Sequence, residues 1–123
     1  MKLSSLVQLL NANIYTNNYD ENKTVQYAFS CDLMSDALML LRNAPIFFCD
    51  EGVLVTGLAT IQGVKTAEML DLGIVILARG KVPNESTINE AQKLNIIIIG
   101  TNNSMFSTNG LMYKEGIKGI SDI

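Results

Sequence analysis

Three apolar runs in the second half of the chain each end in a short polar loop. Val53-Leu54-Val55 leads into Thr56-Gly57. Gly73-Ile74-Val75-Ile76-Leu77 leads into Ala78-Arg79-Gly80, and Ile96-Ile97-Ile98-Ile99 into Gly100-Thr101-Asn102-Asn103. A helical pattern follows each loop. Thr60 starts the first, which carries Ile61, Val64, Ala67 and Leu70. Pro83 and Asn84 open the second, with Ile88, Ala91 and Leu94. Ser104 caps the third, which is expected to turn Met105, Phe106, Met112 and Tyr113 inward. Strand, loop and helix in repeated order predict parallel strands joined by helical crossovers. The run from Ile96 to Ile99 has no polar alternation, so its strand needs cover on both faces and belongs inside the sheet.

The first half is less regular. Leu3, Leu6, Val7 and Leu10 share one helical face. Ile14-Tyr15 is a brief strand candidate, and Asn17 to Lys23 reads as loop. Thr24 to Cys31 alternates like a strand. Asp32 or Ser35 can cap a following helix striped by Leu33, Met34, Ala37, Leu38 and Leu41, with Met39 and Leu40 widening the stripe. Pro45 ends that helix, and Ile46-Phe47-Phe48-Cys49 reads as a short strand. Gly116 is a natural left-handed stop for the last helix, with Ile117 behind it. The sum is an α/β fold: a single small domain over residues 1–123, mostly parallel sheet with flanking helices.

Composition adds a partner to this picture. The 123 residues are 48% hydrophobic and only 17% charged, against about 25% charged in an ordinary globular chain. Mean hydropathy is +0.23. A small monomer covers its surface poorly with so little charge, so part of the apolar excess is expected between subunits, most simply in a twofold homodimer. The alternative is a monomer coated with Asn, Ser and Thr. Net charge is −3, with no Lys/Arg stripe, which argues against nucleic acid as a partner. No run reaches membrane-span length, and Met1 to Leu6 is too short and polar for a secretion signal. Cys31 and Cys49 lack metal-type spacing and read as reduced thiols of a cytoplasmic protein.

The order of these signals resembles the DRTGG domain, a module also similar to the N-terminal domain of bacterial HPr kinase. The matching pieces are Met1-Lys2-Leu3 with Leu6-Val7, then Cys31 to Ala37, then Leu72 to Gly80 with Pro83. Asn95 to Ile99 through Ser104-Met105-Phe106 follow, and Met112 to Gly119 closes the match. Asn22 to Ala28 occupies the stretch that names the family and has no Gly pair. The resemblance implies a parallel-rich α/β fold, frequent dimer formation, and a regulatory or sensing part rather than an enzyme. Family members occur beside CBS domains in nucleotide-regulated proteins, or alone.

The residues themselves disfavour catalysis. The chain contains no histidine, which removes the commonest general base near neutral pH and any Ser-His-Asp or Cys-His unit. Both cysteines adjoin carboxylates, and negative neighbours raise a thiol's pKa, the wrong direction for a nucleophile. An enzyme built on Arg79, Lys81 and Asp50 or Glu51 would lack these acid–base groups. No cofactor is expected.

Three loops offer binding chemistry, each with a plainer reading as a local turn. Arg79-Gly80-Lys81 places two cations and a flexible glycine after a strand, either an anion site or a solvated turn. Thr56-Gly57 allows close backbone approach. Thr101, Asn102 and Ser104 bring short hydrogen-bonding groups that either read a ligand or cap backbone. Parallel strands would bring all three loops to one rim, with Thr56, Arg79 and Ser104 lining a small polar cleft. The expected function is a non-catalytic regulatory or dimerisation module, sensing a small anionic ligand such as a nucleotide. The alternative is a subunit-interaction protein docking on a metabolic or redox enzyme, without a small ligand.

Overall fold

Register along four parallel strands sorts the apolar side chains onto two faces of one sheet. The computed structural model describes residues 1–123. Strands β2 (Tyr27–Ser30), β3 (Gly52–Thr56), β4 (Ile74–Leu77) and β5 (Ile97–Gly100) run parallel. The two-residue β1 (Asn13–Ile14) pairs antiparallel with β5, giving the order β1-β5-β4-β3-β2. The row Phe29–Leu54–Val75–Ile98 points to one face. Val53, Val55, Ile74, Ile76, Ile97 and Ile99 point to the other. All four residues of β4 and of β5 are buried, and each such aliphatic side chain contributes about 1.5–3 kcal/mol on leaving water.

Helices cover both faces. On the first lie α2 (Met34–Leu41), the short α3 (Ile46–Asp50), α4 (Ile61–Met69) and α5 (Glu85–Lys93). On the second lie α1 (Leu3–Leu10) and α6 (Met105–Lys114), which bury Leu3, Leu6, Leu10 and Met112. The molecule is therefore a small α/β domain, a mostly parallel sheet between two helical layers. No helix is long and apolar enough to cross a membrane.

Helix ends follow local chemistry. Asn84 accepts from the Thr87 N–H at 2.9 Å and Ser104 from the Ser107 N–H at 3.2 Å, as side-chain caps do. Thr60 precedes α4 without such a bond. Asn11, Asp71 and Asn95 close α1, α4 and α5 in the left-handed region, which short polar side chains tolerate. Gly116 stops α6 at φ 95°, and the Ile117 N–H returns to the Met112 carbonyl at 3.1 Å.

Four expectations need correction. Ile46 to Cys49 is helical, not a strand: after Pro45 the chain coils, driving Phe48 into the core and leaving Ile46 and Phe47 outside. Neither Asp32 nor Ser35 caps α2; Leu33 stands at its N-cap, and Asp32 turns to the sheet. Phe106 is 87% exposed and Tyr113 63%, so α6 turns only Met112 and Thr108 fully inward. The second strand begins at Tyr27, not Thr24, because Thr24 bridges Lys2 and Val25 exchanges backbone bonds with Met1.

Candidate functional site

Parallel pairing places the loops after β2, β3, β4 and β5 at one rim, the carboxyl end of the sheet, where α/β folds commonly bind ligands. Backbone bonds knit these loops together. The Arg79 N–H donates to the Asn103 carbonyl at 2.8 Å, and the Gly80 N–H to the Thr101 carbonyl at 2.9 Å. Arg79 takes φ 65° and Gly80 φ 70°. A β-carbon is disfavoured there, so the two cross-loop bonds hold Arg79 in a shape it would not choose alone.

The guanidinium of Arg79 lies directly over Gly57. A β-carbon at position 57 would overlap its Nη2 atom, so only glycine lets the two meet. Asp32 holds the other side. One carboxylate oxygen stands 3.3 Å from Arg79 Nη2, while the other accepts the Gly57 N–H at 2.7 Å and a longer 3.4 Å bond from the Thr56 hydroxyl. Both charged side chains remain nearly half exposed, at 44% and 45%. Carboxylate, guanidinium and glycine thus form a closed unit over the ends of β2, β3 and β4.

The eight residues anticipated for ligand binding divide into two sets. Arg79, Gly80, Lys81, Asn102 and Ser104 are exposed at the rim. Thr56, Gly57 and Thr101 are buried. Thr101 Oγ1 donates to the Leu10 carbonyl at 2.8 Å and accepts from the Asn103 N–H, which ties α1 to the β5 loop. Thr56 accepts from the Leu58 N–H at 3.1 Å. These two hydroxyls serve the protein's own backbone. Ser104 is committed to its helix cap.

Sequence reasoning missed three rim residues. Asp32 follows a strand as the other loop residues do, and that position was its only signal. Phe106 and Val82 are apolar yet 87% and 67% exposed. The first part of α6 borders the rim, since Asn103 bonds Arg79 at one end and Asn109 accepts the Ser30 hydroxyl at 2.6 Å further along.

The largest cavity lies elsewhere. A groove of about 870 Å³ opens among α2, α3 and α4, beside the amino ends of β3 and β4. Leu41 and Leu70 form its buried floor, and Met39, Ile46 and Met69 its exposed walls. Arg42 stands on the α2 side, Asp50 and Asp71 on the other, with no ion pair among them. Cys49 also lines this groove, and burial, then Asp71 and Asp50, push its thiol above the ordinary range. Burial likewise raises Cys31 beside the rim, with Asp36 and Asp32 adding to the effect and backbone hydrogen bonds opposing it. Both shifts run opposite to the lowered pKa that activates a thiol nucleophile.

No protein-family model matches the chain, and no curated protein does. A solved structure does match by fold. It holds the CBS and DRTGG domains of the regulatory region of Clostridium perfringens pyrophosphatase, complexed with the activator diadenosine tetraphosphate. The TM-score is 0.70 at 18% sequence identity, over 90% of this chain and 45% of that one. The chain thus spans less than half of that structure, and the likeness at this identity is one of fold.

Proposed function

We propose that this chain is a non-catalytic regulatory module of the DRTGG type, which senses a small anionic ligand such as a nucleotide at the carboxyl rim of its sheet. The observation that carries this reading is the Arg79 guanidinium laid on Gly57 at the ends of parallel strands. Lys81 adds a second exposed cation, and Asn102 an exposed amide beside Gly80. The regulatory region of similar fold, which was solved with a dinucleotide activator, supports a sensing role. The absence of histidine and the raised thiols disfavour catalysis.

The test is a thermal-shift series with adenine nucleotides and dinucleoside polyphosphates. A ligand at a hundredfold its dissociation constant adds about 2.7 kcal/mol, a rise of several degrees for a domain this size. Arg79→Ala should remove the rise. Melting that no nucleotide changes would remove the sensing role.

The apolar groove favours a second element of the reading, a twofold homodimer formed through α2, α3 and α4. Met39, Ile46 and Met69 are each at least two-thirds exposed, with Leu40 and Phe47 beside them. Such side chains present on the order of several hundred Å² of apolar surface, against about 800 Å² per partner in a standard interface. A twofold copy could set Arg42 against acidic residues of the opposite wall. The rival reading, docking on a different enzyme, predicts a monomer by light scattering of the purified chain.

A further inference from the structure

The geometry points to Asp32 as an internal stand-in for the ligand: its carboxylate occupies the anion position that Gly57 and Arg79 form, and an incoming phosphate must displace it. This deepens the rim reading and rests on it. The Gly57 N–H and the Arg79 guanidinium are the two donors that an anion at this spot would use, and both already face one carboxylate, at 2.7 and 3.3 Å. Asp32 reaches them from a different strand end, the loop after β2, so its side chain can turn away without moving either donor. The charge pair is half exposed and made through one guanidinium nitrogen only. Pairs of that kind are weak and screened by water. A phosphate brings more charge and more acceptor oxygens, and it can engage the guanidinium through two nitrogens. Lys81 lies two residues further along the same loop, exposed and without an ion-pair partner. It adds a cation on which Asp32 has no claim. The rim therefore binds its ligand by exchanging one anion for another, and the native carboxylate sets a threshold that weak anions do not pass.

The experiment is calorimetric titration of the intact chain with inorganic pyrophosphate, comparing wild type, Asp32→Asn and Arg79→Ala. Asparagine keeps an acceptor for the Gly57 N–H and drops the competing charge. The expected result is binding by Asp32→Asn tighter than wild type by on the order of tenfold, and none by Arg79→Ala. Asp32→Ser, which also removes the competing charge, should show the same gain and covers a failure of the asparagine variant to fold. If wild type binds and the folded Asp32 variants bind no more tightly, the competition is overturned while the rim stands as an anion site. If neither wild type nor the folded Asp32 variants take up pyrophosphate, the site and the competition fall together.

Discussion

At the carboxyl ends of the strands the polar groups are largely partnered within the chain, whereas at the amino ends an apolar groove is left without cover. Thr56, Thr101, Ser104, Gly57 and Asp32 all bond within the rim or to α1. Met39, Ile46 and Met69 stand exposed around the groove. The two regions would therefore suit different kinds of partner. A ligand at the rim must outcompete bonds that already exist, so it needs charge. A partner at the groove has only water to displace, so it needs apolar area. Roughly 15 Å of strand separates them, far enough for substitutions in one to leave the other intact.

The largest effect should come from beneath the groove. Leu41 is 2% exposed and belongs to both the core and the groove floor. Leu41→Ala should cost about 2–5 kcal/mol, through lost burial and the cavity left behind, read from urea unfolding. If the loss is below about 1 kcal/mol, the floor is not packed as described. Next is the groove wall. Ile46→Asp with Met69→Asp puts charge where apolar surface would be buried, and should weaken a dimer by roughly a hundredfold, about 2.7 kcal/mol. Sedimentation should then report monomer while the melting of the isolated fold barely changes.

At the rim the two halves of the charge pair should prove unequal. Arg79→Ala removes an exposed ion pair and should cost under about 1 kcal/mol. Asp32→Ala also strands the N–H of buried Gly57, a loss of about 1–3 kcal/mol. Parallel denaturation curves decide this. Equal losses would mean that the carboxylate's bond to Gly57 carries no weight, and Asp32 would have no hold on the anion position.

The same contrast explains what could be read from sequence. Strands β3, β4 and β5 were legible to within a residue, because fully buried parallel strands leave unbroken apolar runs such as Ile96 to Ile99. The caps at Asn84 and Ser104 were legible because they depend on residues three apart. Ile46 to Cys49 was not: four apolar residues in a row fit a strand or a helical turn equally, and only Phe48 has a core site to fill. At the rim, sequence supplied the loops and Arg79 but left the hydroxyls open between ligand contact and backbone cap. A threonine at a strand end looks the same whether it faces a ligand or, as Thr101 does, the carbonyl of Leu10, which is 91 residues away in the chain. Asp32 was missed for the same reason, since its partners sit on two other strands.

The smallest effect uses one cysteine from each region. Burial, reinforced by nearby carboxylates, raises both thiols in the folded chain. Unfolded, each ionises near its ordinary value of about 8.5. Below that pH both states hold the proton and the native form keeps its full advantage. As pH climbs past it, the unfolded chain releases protons first, so stability should fall until the folded thiols ionise too. Tyr19 and Tyr113 are also raised and act in the same direction, so the thiol share is the part of the wild-type loss between urea titrations at pH 7 and pH 9.5 that a Cys31→Ala, Cys49→Ala variant no longer shows. The two cysteines then separate the regions. Alkylation of Cys49 should quicken when Ile46→Asn and Met69→Asn open the groove without adding carboxylates, while Cys31 should keep its rate there and respond only to pyrophosphate at the rim. Acceleration of both together would mean that the two ends of the sheet are not independent.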